Sequence, residues 1–207
     1  MIVTTKAQTC LSADREKKLH KVNSSLLHCA PFCLCGSNTY PPMLEKKPIK
    51  RSGHIVKLSK DHHLTLLFCW KIRSGLKLEI APERIIKYVY YFWQYHMQPH
   101  FTEEETILFA PVNDAAVQKA LDEHAQIAEQ IKALNSIDGN AVHQLSVLAD
   151  TVDQHVRYEE RTLFPHLEKA LSNEQLNNIG KLLAAHHALA LKDDFADEFW
   201  LKNENSL

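Results

Sequence analysis

Two short segments carry residues able to do chemistry together. His100 to Phe109, HFTEEETILF, and His155 to Phe164, HVRYEERTLF, match at His, Glu, Glu, Leu and Phe fifty-five positions apart. On a helix, residues four apart are neighbours about 6 Å along the axis and roughly 40° around it, so His100 with Glu104 and His155 with Glu159 each present an imidazole and a carboxylate to one spot. A single His-x-x-x-Glu pair arises by chance on exposed helices. Two in register, each followed by Leu-Phe, make an internal repeat, and inward-facing pairs of this kind are how helical bundles build paired-metal sites.

Two further histidines sit on apolar stripes. His62 shares a face with Ile55, Leu58, Leu66, Cys69 and Ile72, whereas His63 is rotated about 100° away. His124 is the only histidine in its predicted helix and is flanked by Leu121 and Ile127. Either one alone reads as a satisfied core histidine; beside the two repeats, both read as ligands. The predicted metal ligands are His62, His100, Glu104, His124, His155 and Glu159, with His63 an alternative to His62 and Glu160 an alternative to Glu159. Four imidazoles and two carboxylates suit two borderline divalent ions of the iron, manganese or zinc kind. Calcium or magnesium would want an all-oxygen set, and a structural zinc would want thiolates and a single tetrahedron. Electrostatics favour redox iron, because two ferrous ions and two glutamates leave positive charge that an oxo or hydroxo bridge cancels on oxidation. The expected cofactor is therefore two Fe ions in a di-iron centre, oxo- or hydroxo-bridged, with an open position for a diatomic or peroxide ligand.

The elements that must position these residues are helices. Helix one is predicted from Ile55 to Ser74, with Gly75 as its stop. Helix two opens at Pro82, carries Ile85, Ile86, Val89, Phe92 and Trp93, is kinked by Pro99 and closes at Pro111. His96 lies one turn before His100 and reads as a supporting or surface residue. Helix three is capped by Asn113 or Asp114 and runs through Val117, Leu121, Ile127, Ile131 and Leu134 to a turn at Asp138-Gly139-Asn140. Helix four follows from about Ala141 to Leu163 and ends near Pro165. Ser172 to Gln175 is a capping box that opens a fifth helix, in which His186 and His187 read as surface residues. The expected fold is all-α: an antiparallel up-down-up-down four-helix bundle over residues 51–171, with an additional C-terminal helix and acidic tail over 172–207. Phe195, Phe199 and Trp200 are available in that tail for docking.

Residues 1–50 lack a helical period, contain breakers at Pro41, Pro42 and Pro48, and read as a poorly ordered N-terminal extension. Cys29, Cys33 and Cys35 do not have the usual zinc spacing, and Met43 is an alternative start. The totals agree with a globular protein: net charge −1 offers no basic excess for nucleic acid, and thirteen histidines exceed the roughly five expected at about 2 to 3% of residues. Five cysteines, unevenly placed, argue against a disulfide framework. No apolar run is long enough to cross a bilayer. The compartment expected from this is the cytoplasm.

Asp61-His62, His100-x-x-x-Glu104-Glu105 with Leu108-Phe109, Glu123-His124, and His155-x-x-x-Glu159-Glu160 with Leu163-Phe164-Pro165 together resemble a hemerythrin-like domain over about residues 52–171. The resemblance implies a four-helix bundle holding a non-haem di-iron centre on the six residues named. One histidine of the oxygen carriers is missing, since Ala120 and Ala128 stand one turn either side of His124. The set is closer to the hemerythrin-like proteins of iron-sulfur repair and iron sensing. The expected function is a di-iron protein that senses, stores or handles O2, NO, peroxide or iron. The alternative is a di-iron enzyme scavenging peroxide or NO, or acting as an oxidase, although no separate acid-base residue or substrate pocket is legible.

Overall fold

In the computed structural model, which describes residues 51–134, 139–186 and 192–201, each predicted apolar stripe is wound into a helix, and there is no strand among the described residues. We number the helices α1 (Val56–Lys77), α2 (residues 82–108), α3 (Ala115–Ala133), α4 (residues 141–170) and α5 (Asn173–His186). None is long and apolar enough to cross a membrane. The expectations for residues 1–50, for His187 and for Asp138 lie outside the described residues.

Local signals account for most of the boundaries. Pro82 occupies the first turn of α2, where its missing N–H costs nothing. The Asp114 carboxylate accepts the Ala116 and Val117 N–H groups at 2.9 and 3.0 Å and so caps α3. Ser172 and Gln175 bond reciprocally, N–H to Oε1 at 2.9 Å and N–H to Oγ at 3.2 Å, which is the predicted capping box of α5.

Two predicted boundaries are wrong. Gly75 does not end α1; the helix runs to Lys77 and closes with Glu79 at φ 55°, its N–H on the Leu76 carbonyl and the Ile80 N–H on the Gly75 carbonyl. Gly75 is instead a place of close approach. A Cβ there would lie 2.7 Å from the Phe199 ring and 3.0 Å from Ile85 Cδ1. Nor does α4 stop at Pro165: it continues to Ala170. Proline 165 has no N–H for the Arg161 carbonyl, and a π-helical turn at Glu159–Leu163 absorbs the defect, with the Phe164 N–H reaching back to the Glu159 carbonyl. The same device carries α2 past Pro99, where a π turn at Trp93–Met97 places the Gln98 N–H on the Trp93 carbonyl. A third π turn, Glu104–Leu108, ends α2 with the Phe109 N–H on the Glu104 carbonyl at 2.7 Å.

Two apolar clusters fill the interior. One contains Phe68, Ile72, Ile85, Tyr88, Val89, Phe92, Ile127, Leu145 and Leu148; the other contains Ile55, Leu58, Leu108, Val117, Leu163, Phe164, Leu167 and Leu183. Each of α1 to α4 passes from one cluster to the other. The order of passage reverses from each helix to the next, and His62, Glu104, His124, His155 and Glu159 fall between the two stretches, with His100 beside Phe101 at the end of the first. Helix α1 packs on α2 and α4, α3 packs on α4, and α5 contacts the last turn of α2.

The segment 192–201 docks on the first cluster through Phe195, Phe199 and Trp200. Its Asp193 accepts bonds from the buried Lys71 Nζ at 2.8 Å and from the Tyr88 hydroxyl at 2.6 Å, and Lys71 Nζ lies 3.7 Å from the centre of the Trp200 ring. The acidic residue here is a clasp on the helices rather than part of a solvated tail.

Candidate metal centre

Beside the two apolar clusters lies a set of buried polar side chains. His62, His100, His124 and His155 are all nearly fully buried, and Glu104 and Glu159 are fully buried. Two groups of four donors form there, each with all ligand atoms within 4.8 Å of one another: His62, His100, Glu104 and Glu159, and then Glu104, His124, His155 and Glu159. Both glutamates belong to both groups. One Glu104 oxygen lies 3.3 Å from His100 Nε2 and 3.6 Å from His62 Nε2, while the other lies 3.5 Å from His124 Nε2. Glu159 reaches His62 at 3.1 Å, His155 at 3.3 Å and His124 at 3.7 Å. All six predicted residues are thus brought together. His63 is exposed and takes no part. His96 is buried against Phe92 and Tyr91, outside both groups.

The structure adds an outer layer of carboxylates. Glu160 binds His62 Nδ1 at 2.7 Å, Glu105 binds His124 Nδ1 at 2.7 Å, Glu123 binds His155 Nδ1 at 3.0 Å, and Asp61 stands 3.6 Å from His100 Nδ1. A carboxylate on Nδ1 fixes the proton there and turns the Nε2 lone pair inward, the arrangement that orients imidazole toward a metal. Sequence reasoning gave none of Asp61, Glu105 and Glu123 this role, and it weighed Glu160 only as a ligand. A signal was present: every predicted ligand helix has an acidic residue directly beside its His or Glu, at 61, 105, 123 and 160. These pairs relate the halves by a pseudo-twofold, Asp61-His62 matching Glu123-His124 and His100-Glu104-Glu105 matching His155-Glu159-Glu160.

The inner atoms lack hydrogen-bond partners. His62 Nε2, both His100 nitrogens and all four oxygens of Glu104 and Glu159 are buried without one, and His124 Nε2 faces His155 Nε2 at 3.1 Å. Leaving so many polar groups unsatisfied would cost several kcal/mol. Metal–ligand bonds of about 2.1 Å place neighbouring donors about 3.0 Å apart in an octahedron and about 3.4 Å apart in a tetrahedron. The observed separations of 3.1 to 3.7 Å have that scale. The residues fit a pair of divalent ions.

Charge follows the same plan when only protons are available. Burial by itself disfavours protonation of the imidazoles, but the carboxylates outweigh it, holding His62 well above its ordinary value, His100 at about 9 and His124 at about 11. Burial and the Glu104 charge push Glu159 up, yet the surrounding imidazoles hold it at about 2; Glu104 is likewise held well below the ordinary range. The sign for the metal-free fold follows. The raised histidines contribute stability that is full below about 6.5 and is lost as pH rises through about 9 for His100 and about 11 for His124. Glu159 contributes stability that is present above 4.5 and lost as pH falls through about 2. The thermal midpoint of metal-free protein is therefore expected to fall from pH 6.5 to 9. In a calorimetric pH series, a midpoint that rises across that interval would contradict this charge assignment.

Comparison with known proteins gives three results. The model of the hemerythrin HHE cation-binding domain matches residues 53–167, more than half of the chain. A protein named DNA nickase from Nostoc sp. (strain PCC 7120 / SAG 25.82 / UTEX 2576) is 32% identical over 123 residues, 56% of this chain. The match spans only 33% of that relative's length. No solved structure matches the chain significantly.

Proposed function

This chain belongs to the hemerythrin HHE cation-binding family, and from that premise we propose that it is a non-haem di-iron protein that senses, stores or handles O2, NO, peroxide or iron. The observation that carries the reading is that Glu104 and Glu159 are each shared by two four-donor groups, since a mononuclear site has no use for two bridging carboxylates. His62 and His100 would hold one ion, His124 and His155 the other, and Glu104 and Glu159 both. When bound, such a pair of ions supplies an open coordination position and a change of oxidation state. The chain's own residues do the rest. Glu160, Glu105 and Glu123 hold the imidazole protons of His62, His124 and His155 at Nδ1 and point each Nε2 inward, and the Asp61 carboxylate stands beside His100 Nδ1. Phe101, stacked on His124 with ring centres 3.7 Å apart, and Phe164, stacked on His62 at 5.3 Å, keep bulk water from the inner carboxylates.

An antiparallel up-down-up-down arrangement of α1 to α4 belongs to the same proposal. It is supported by the short connections and by the reversal, from helix to helix, of the order in which the two apolar clusters are met. A cytoplasmic location is part of the same proposal and rests on the uneven placement of the five cysteines in the sequence. The experiment that tests the handling role is titration of anaerobic ferrous-loaded protein with nitric oxide or dioxygen, following gas consumption. Consumption is expected to stop at a fixed ratio to the centre. Uptake that continues past that ratio in the presence of a reductant would replace the handling role with a catalytic one.

A further inference from the structure

The pseudo-twofold that relates the halves of the centre is broken outside the ligands. Glu160, on His62, is gripped by the Arg51 guanidinium, with Nε at 3.1 Å and Nη2 at 2.7 Å, and by the Ser59 hydroxyl at 2.7 Å. Arg51 also donates to the Glu160 carbonyl and lies over the Phe164 ring, so it closes that side with a buried cation. Glu105, the matching residue on His124, has no such grip. Its side chain is 41% exposed, and among the described residues no lysine or arginine pairs with it. It lies instead in the wall of a cleft of about 410 Å³ between α2 and α3, with Phe101, Thr102, His124, Ala125 and Ala128. Ala128 stands one helical turn beyond His124, where a longer side chain would fill the cleft.

On the dinuclear reading above, we infer that the two metal positions are not equivalent: the His124/His155 position is the exchangeable one, opening through the α2–α3 cleft, and the His62/His100 position is locked. The physical reason lies in the imidazole carriers. Releasing an ion requires its histidines to swing away, and a carboxylate tied to a buried guanidinium and a hydroxyl holds the His62 ring in place. Glu105, free to rotate into solvent, releases His124 and lets a small chelator or anion reach the inner side. Lys119 also holds Glu123, the carboxylate on His155, at 2.7 Å, but from the solvent side with its own side chain half exposed. Outer-layer partners of metal-bound histidines commonly alter affinity by roughly 10 to 100 fold, so loss of the grip on His124 is large enough to separate the two positions.

The test uses the full chain loaded with two Co(II) ions, and follows loss of the cobalt absorption after addition of excess EDTA. Two phases of one ion each are expected, differing by at least about tenfold in rate. Arg51→Ala should accelerate the slow phase alone. Ala128→Leu, which narrows the cleft without removing a ligand, should slow the fast phase alone, and Thr102→Leu serves the same purpose if the first variant folds poorly. His124→Ala should delete the fast phase and leave one slowly released ion. Release of both ions at one rate, or an acceleration by Arg51→Ala of the fast phase, would overturn the inference. Failure to take up two ions at all is a different result, since it removes the dinuclear reading on which the inference stands.

Discussion

Glu104→Ala is expected to empty both positions of the centre, whereas His62→Ala should leave one ion per chain. The difference follows from sharing, because Glu104 offers one oxygen to His62 and His100 and the other to His124. Its loss takes a donor from both groups, and it also leaves protonated imidazoles buried beside a single carboxylate. Breaking a buried charged set by removing one partner costs about 3 to 5 kcal/mol, and an ion at a thousand times its Kd adds about 4 kcal/mol of stability that the variant cannot recover. The loaded wild type and Glu104→Ala should therefore differ by well over 10 °C in thermal midpoint, at roughly 2 to 4 °C per kcal/mol for a domain of this size. Metal analysis and calorimetry on the same samples check both parts. Retention of two ions by Glu104→Ala would remove the bridging role.

The second large effect lies away from the centre, where the C-terminal segment meets α1. Phe199 is buried to 2% exposure and occupies the space beside Gly75. Phe199→Ala should cost about 3 to 4 kcal/mol through lost burial and the cavity left behind. Gly75→Val would gain a few tenths in helix propensity over glycine but would drive its side chain into the Phe199 ring and Ile85, for a net cost of about 2 to 3 kcal/mol. Overpacking wins because the contact is already at 2.7 Å for the Cβ alone. The double variant should cost less than the sum, since removing the ring makes room for the new side chain. Strict additivity in urea unfolding would mean that the 192–201 segment is not docked there in solution.

The chemistry was more legible in the sequence than the backbone that delivers it. The His-x-x-x-Glu repeat is a local pattern, so helical spacing alone grouped His100 with Glu104 and His155 with Glu159. His62 and His124 could be chosen because each interrupts an apolar stripe. The outer carboxylates escaped notice because their partners are distant in sequence: Glu160 meets His62 and Glu105 meets His124 only through packing between helices. The π turns escaped for another reason. Proline 165 reads locally as a helix end, and only burial of Phe164 and Leu167 on the far side makes it favourable to widen a turn and continue. Gly75 misled in the same way, since a glycine near a helix end looks like a stop when the ring that needs the space lies more than a hundred residues away.

The most direct measurement is metal content per chain on protein purified without added metal and then reconstituted anaerobically with ferrous iron, with absorption spectra before and after exposure to air. The account predicts about two irons per chain and near-ultraviolet bands that grow on oxidation. One ion or fewer per chain, with no spectral change in air, would contradict it.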